Sequence, residues 1–130
     1  MFNLKSLAAC GKEVSKMTHQ MKLQDAPFEM IEKGIKTIEL RLLDEKRQSL
    51  QVGDKVEFTH TKNATRVINS RVIALHIFPS FAELYANLPL LKCGYTKEDI
   101  HTAKPSDMDA YYTREEQQKY GVVGIEIELI

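Results

Sequence analysis

The sequence predicts an α+β domain: a curved, mainly antiparallel sheet of about five to six strands with helices packed against it. Three observations carry this. Period-two stretches recur at residues 37–42, 55–60 and 122–130, two S/T-x-x-E capping boxes open helices late in the chain, and no regular βαβ alternation joins them. The chain of 130 residues, 43% hydrophobic and 28% charged, is long enough to bury one core without disulfides or a structural metal.

The elements follow in order. Phe2, Leu4, Leu7 and Ala8 suit a short amphipathic lead-in helix ending at Gly11, so residues 1–18 read as an extension and 19–130 as the domain. His19 to Leu23 is a short strand. Asp25 is placed to cap a helix with Pro27 in its first turn, and Phe28, Ile31 and Ile35 form its apolar stripe before Gly34 ends it. Thr37 to Leu42 alternates, with Ile38, Leu40 and Leu42 on one face and Thr37, Glu39 and Arg41 on the other. Val52-Gly53-Asp54 is a turn, and Lys55 to His60 carries Val56 and Phe58 inward. Arg66 to Phe78 is a long strand whose parity slips near Asn69-Ser70, which predicts a bulge there.

Ser80-Phe81-Ala82-Glu83 opens a helix with Phe81, Leu84 and Leu88 as its stripe, and Pro89 stops it. Residues 90–112 are loop-rich, with Thr96 and Asp99 placed for a local cap. Thr113-Arg114-Glu115-Glu116 opens the last helix, which Gly121 terminates. Val122 to Ile130 is a closing strand with Val123, Ile125, Ile127 and Leu129 on one face.

The formal charge is zero, 18 basic against 18 acidic groups, which argues superficially against a nucleic-acid partner. The balance is uneven. Residues 33–71 hold 9 basic and 5 acidic groups, whereas residues 107–130 hold 2 and 6. Screening confines such fields to about 10 Å at 0.1 M salt, so the segments matter more than the total. No apolar run approaches the roughly 20 residues of a membrane helix, and the first residues lack the pattern of a secretory leader. Cys10 and Cys93 match no metal or redox spacing, and with no leader they predict reduced thiols in a cytoplasmic protein. His19, His60, His76 and His101 are isolated, and no nucleotide glycine motif occurs, so no metal and no cofactor is expected.

The densest chemistry lies in Gly34-Ile35-Lys36-Thr37-Ile38-Glu39-Leu40-Arg41. Glu39 and Arg41 point the same way from one strand, and a carboxylate there can orient a guanidinium toward a phosphate or base edge, with Lys36 adding a point charge at the strand mouth. The alternative is ordinary solvated strand chemistry. Lys46 and Arg47, in the turn Asp44-Glu45-Lys46-Arg47, are either solvated or phosphate-contacting. Tyr111 and Tyr112 either pack or line a cleft where bases could stack, while Tyr120 suits packing.

The stretch around Lys36 resembles the G-x-K-x-x-E-x-R signature of ASCH domains, the activating signal cointegrator homology group of the PUA-like superfamily. Arg41 to Arg47, Val52 to Phe58, and the ending Tyr120 to Ile127 are similar to that family's charged turn, second barrel strand and closing strand. The resemblance spans residues 19–130. It implies a PUA-like pseudo-barrel whose cleft is roofed by the first helix and lined by the signature strand, with RNA or a modified nucleotide as partner through Lys36, Glu39 and Arg41. Some small relatives hydrolyse an amide on an acylated cytidine, using the signature lysine with a threonine and a distal glutamate. Here Lys36 matches, but Glu39 stands at the threonine position, where a carboxylate forms an ion pair rather than attacking an amide. Thr37 is the neighbouring hydroxyl. The readings are therefore a binding module, a small amidohydrolase using Lys36 and Glu39, or a protein-interaction module presenting Glu126 and Glu128.

Overall fold

The computed structural model describes residues 17–130. The lead-in helix expected to end at Gly11, and Cys10, lie outside the described residues. Five strands, β1 (Thr18–Leu23), β2 (Ile38–Leu42), β3 (Lys55–His60), β4 (Val67–Phe78) and β5 (Val122–Leu129), form one sheet in the order β1-β3-β4-β5-β2. Helices α1 (Asp25–Glu32), the single turn α2 (Glu45–Gln48), α3 (Phe81–Asn87) and α4 (Arg114–Tyr120) join them. Short 3-10 turns at Leu90–Lys92, Ile100–Thr102 and Pro105–Ala110 fill the expected loop-rich stretch.

β1 pairs with β3 in parallel, while the other three pairings are antiparallel. The sheet is thus mixed, a curled half-barrel with β1 and β2 as its two unjoined edges. The parallel pair follows from connectivity, because α1, β2 and α2 intervene before β3 and let the chain return in the same direction.

Two buried clusters lie on either side of β5. Met21, Phe28, Ile31, Val56, Phe58 and Ile125 belong to the first, inside the half-barrel. Ile38, Leu40, Phe81, Leu84, Met108 and Val122 belong to the second, beneath α3. β5 serves both because its alternate residues face opposite ways, and Gly124 sits where a Cβ would lie 2.8 Å from Leu88 Cδ1.

Several local expectations are corrected. The β4 bulge falls between Val72 and Ala74, not at Asn69-Ser70. Ser70 is fully buried and donates its hydroxyl to Val56 O at 2.8 Å, so a polar residue occupies an inward position and only mimics a slip in parity. Asp25 does not cap α1. Gln24 holds the cap position, and the Asp25 carboxylate instead accepts from His60 Nε2 at 3.0 Å. Ile35 is exposed, since α1 ends before it. On β5, Leu129 is exposed where Val123, Ile125 and Ile127 are buried.

The other stops and starts form as expected. Ser80 Oγ accepts from the Glu83 N–H at 3.3 Å, and both halves of the Thr113–Glu116 box are made. Gly121 ends α4 at φ 72° and ψ −170°, a conformation essentially reserved for glycine.

Candidate functional site

Because Glu39 and Arg41 pair with Ile125 and Val123 across the β2–β5 ladder, they share the inner face of the sheet with those core residues. They emerge where the half-barrel fails to close. Glu39 is buried, 5% exposed, which excludes the solvated-strand reading. Lys36 Nζ and Arg41 Nε reach its two carboxylate oxygens, each at 2.7 Å. Burial alone would push the Glu39 carboxyl up, but the Lys36 and Arg41 charges and their hydrogen bonds outweigh it and hold it below the usual range.

Arg41 also donates from Nη2 to Lys22 O at 2.9 Å, and Lys46 Nζ donates to Gln20 O at 2.6 Å. Side chains from β2 and α2 therefore bridge the open seam onto backbone carbonyls of the β1 edge. This leaves Arg41 anchored on two sides, with its Nη1 lacking a protein acceptor among the described residues.

The triad lines a cleft of about 500 Å³. α1 contributes Ala26, Pro27 and Met30 to it. The chain entering β2 is held by Thr37 N–H to Lys92 O at 2.9 Å, which draws the Leu90–Lys92 turn alongside. Gly94, at φ 114°, packs there: a Cβ would meet Lys36 Cδ at 3.4 Å. Cys93 lies beneath, and burial pushes its thiol up to about 11.

Of the two tyrosines singled out in the sequence, Tyr112 stacks on Phe81 (centroids 6.2 Å apart, planes 14° apart) and lines the cleft, with burial raising its hydroxyl against the pull of Arg41. Tyr111 lines the same cleft but is 68% exposed. Tyr120 packs on the second cluster. Lys46 and Arg47 lie outside the cleft, in a neighbouring hollow of about 510 Å³ whose lining also includes Lys22 and Arg41. Burial and the neighbouring Arg47 and Arg41 charges lower the Lys46 ammonium. Thr37 Oγ1 is buried without a partner and does not line the cleft.

The sequence reading missed Lys22, Tyr85, Tyr95 and Asp107, all of which line the cleft. Tyr85 and Tyr95 hydroxyls meet at 2.7 Å, and Tyr95 donates to Asp107 Oδ2 at 2.7 Å. No motif or periodicity in the sequence marks them. Among the described residues no group of three or more His, Cys, Asp or Glu could hold a metal, and no helix is long and apolar enough to cross a membrane. His19, His60 and His76 instead each pair with one carboxylate, Asp54, Asp25 and Glu126.

The lowered Glu39 carboxyl has a consequence for stability. A depressed folded value contributes fully above the unfolded reference of about 4.3 and is lost progressively as pH falls below it through the folded value. Asp54 acts in the same direction: burial pushes its carboxyl up, but hydrogen bonds from His19 and the Gln51 and Met17 N–H groups outweigh it. Thermal melts should therefore be flat from pH 7 to about 5 and fall steeply below about pH 4. A Tm unchanged between pH 5 and 2.5 would contradict the pairing, and Glu39→Gln should blunt the fall without abolishing it.

Comparisons with known proteins agree with this architecture. The chain is similar to the crystal structure of the hypothetical protein PH0355, at 32% identity over 88% of this chain and 100% of that one, with a TM-score of 0.72. It is also similar to the solution structure of protein PF0455 from Pyrococcus furiosus, at 30% identity over 88% and 98%, with a TM-score of 0.60. No curated protein matches the sequence. The family model of the ASCH domain matches residues 21–130, a span that holds the second half of β1, all of β2 to β5 and the buried triad, and the chain belongs to the ASCH domain family.

Proposed function

We propose that the cleft binds RNA or a nucleotide-like ligand, with Lys36, Glu39 and Arg41 at its centre. The observation that carries this reading is the convergence of the three in one concave, tyrosine-walled cleft rather than on a solvated strand face. Glu39 orders the Arg41 fork before any ligand arrives, which reduces the ordering cost of binding. Arg41 Nη1 is then available to a phosphate oxygen or base edge. Tyr112, fixed on Phe81, and the exposed Tyr111 supply faces on which bases stack. Lys22, Lys46 and Arg47 continue the positive surface into the adjoining hollow, where a phosphodiester leaving the cleft would run.

Two other readings have less support. For an amidohydrolase, Lys36 is retained, but Glu39 is committed to two cations and no serine or threonine lines the cleft, so an acylated cytidine would meet no aliphatic hydroxyl nucleophile there. For an acidic protein-interaction face, Glu126 is already engaged by His76 at 2.8 Å.

Fluorescence anisotropy with a labelled single-stranded RNA tests the proposal. Affinity should fall with salt, and Arg41→Ala should weaken it by about tenfold or more, the loss of one charge-assisted hydrogen bond of about 1.5–3 kcal/mol. Lys46→Ala should reduce the salt slope by about 0.7, one phosphate contact on a single strand. Unchanged affinity in Arg41→Ala would remove the cleft as the site.

A further inference from the structure

The wall formed by Tyr85, Tyr95 and Asp107 has a hydrogen-bond polarity of its own. Tyr95 has one hydroxyl proton, and it goes to Asp107 Oδ2 at 2.7 Å. The 2.7 Å contact between the two tyrosine oxygens therefore runs from Tyr85 to Tyr95. Both protons are consumed inside the relay. Burial, with the neighbouring Tyr85 and Asp107, raises the Tyr95 hydroxyl above its usual range, and burial does the same for Tyr85, so both stay protonated. Asp107 Oδ2 also accepts the Lys104 N–H at 3.2 Å, whereas Oδ1 has no protein donor among the described residues. All three residues line the cleft, and with both protons spent the polar valences their side chains have left are acceptor lone pairs.

The Lys36–Arg41 side has the opposite character, since its nitrogens are donors only. The two sides are physically joined: Gly94 packs on the Lys36 stem, and Tyr95 is the next residue. A ligand lying between them must bring acceptors or negative charge to one side and N–H groups to the other. A carbonyl facing the relay would set lone pair against lone pair and leave half-buried acceptors unpaired.

We infer that the relay is a specificity element that selects ligands bearing an exocyclic amino group, read by Asp107 Oδ1 and the tyrosine oxygens, over their oxo counterparts. This rests on the nucleotide reading of the cleft and adds to it the class of base. An amino-bearing base carries N–H donors on one edge and its phosphate at a distance, matching both sides of the cleft.

Calorimetric titration of the full chain with two pairs of nucleoside monophosphates tests it: CMP against UMP, and AMP against IMP. The phosphate is constant within each pair. The amino member should bind roughly tenfold tighter, the scale of one well-made polar contact to a base. Asp107→Asn, whose amide can turn N–H groups into the cleft, should bring each pair to within about threefold or reverse it. Equal wild-type affinities within both pairs would overturn the inference while leaving the nucleotide reading standing. No binding of any of the four would overturn the inference as well, while the titration with labelled RNA judges the reading of the cleft separately. An undiminished preference in Asp107→Asn would overturn the role of Asp107. The wild-type comparison needs no variant, so the inference is decided even if Asp107→Asn does not fold.

Discussion

Glu39→Gln is expected to cost about 3–5 kcal/mol of folding stability, the range seen when one partner of a buried ion pair is removed. The change is nearly isosteric, so volume does not enter. What changes is that Lys36 and Arg41, with side chains only 10% and 14% exposed, lose the charge that offsets their desolvation. The amide can still accept one hydrogen bond, but its nitrogen faces the second cation. Urea denaturation gives the difference directly, and a shift below about 0.5 kcal/mol would mean that the triad is solvated in solution. The double variant Lys36→Met with Glu39→Gln should recover part of the loss. It removes one stranded cation, and Arg41 keeps the Lys22 carbonyl as an acceptor. Recovery in the double variant separates electrostatics from a packing defect, because a packing defect would add to the loss.

Phe81→Ala is expected to cost about 3–5 kcal/mol, as for a fully buried aromatic truncated in a core that relaxes only in part. Phe81 is 1% exposed in the second cluster. Its further role is to support two walls of the cleft: Tyr112 stacks on it, and Tyr85 meets it edge-on at 6.4 Å. Phe81→Leu separates the two roles, since leucine keeps much of the buried volume and loses the aromatic contact, worth about 0.5–1.5 kcal/mol per pair. The leucine variant should stay folded in urea titrations yet bind RNA more weakly than the native protein. Equal RNA affinity in Phe81→Leu would show that the placement of Tyr112 and Tyr85 does not depend on this ring.

The degree to which the cleft was legible differs residue by residue. Lys36, Glu39 and Arg41 could be singled out because they crowd within six residues around a helix stop and a strand start, signals that need no distant partner. Lys46 and Arg47 read equally well as solvent or contact residues. The structure puts them in the hollow beside the cleft, with Arg47 tied to Asp44 at 3.2 Å. Tyr95 and Asp107 carried no signal, because their meaning lies in a contact across 12 residues of irregular chain that no periodicity describes. The misplaced β4 bulge has a related origin: whether an inward serine is tolerated depends on Val56 O, 14 residues away on β3.

Local sequence alone determined the five strands, the helices α1, α3 and α4 and where α3 and α4 begin, since period-two alternation, a capping hydroxyl and a glycine stop act within about four residues, whereas the single helical turn α2 reads as a plain turn. It also determined that a basic excess falls on the stretch carrying the signature. Tertiary structure decided the rest: that β1 runs parallel to β3, that the sheet stays open between β1 and β2, and that Arg41 crosses the seam to a carbonyl 19 residues away. It decided above all that Glu39 is buried. The same i, i+2 spacing of glutamate and arginine is inert on a solvated strand, where water screens each charge. In a desolvated cleft the carboxylate and its two cations become a fixed, preorganised unit, and only the fold sets that dielectric difference.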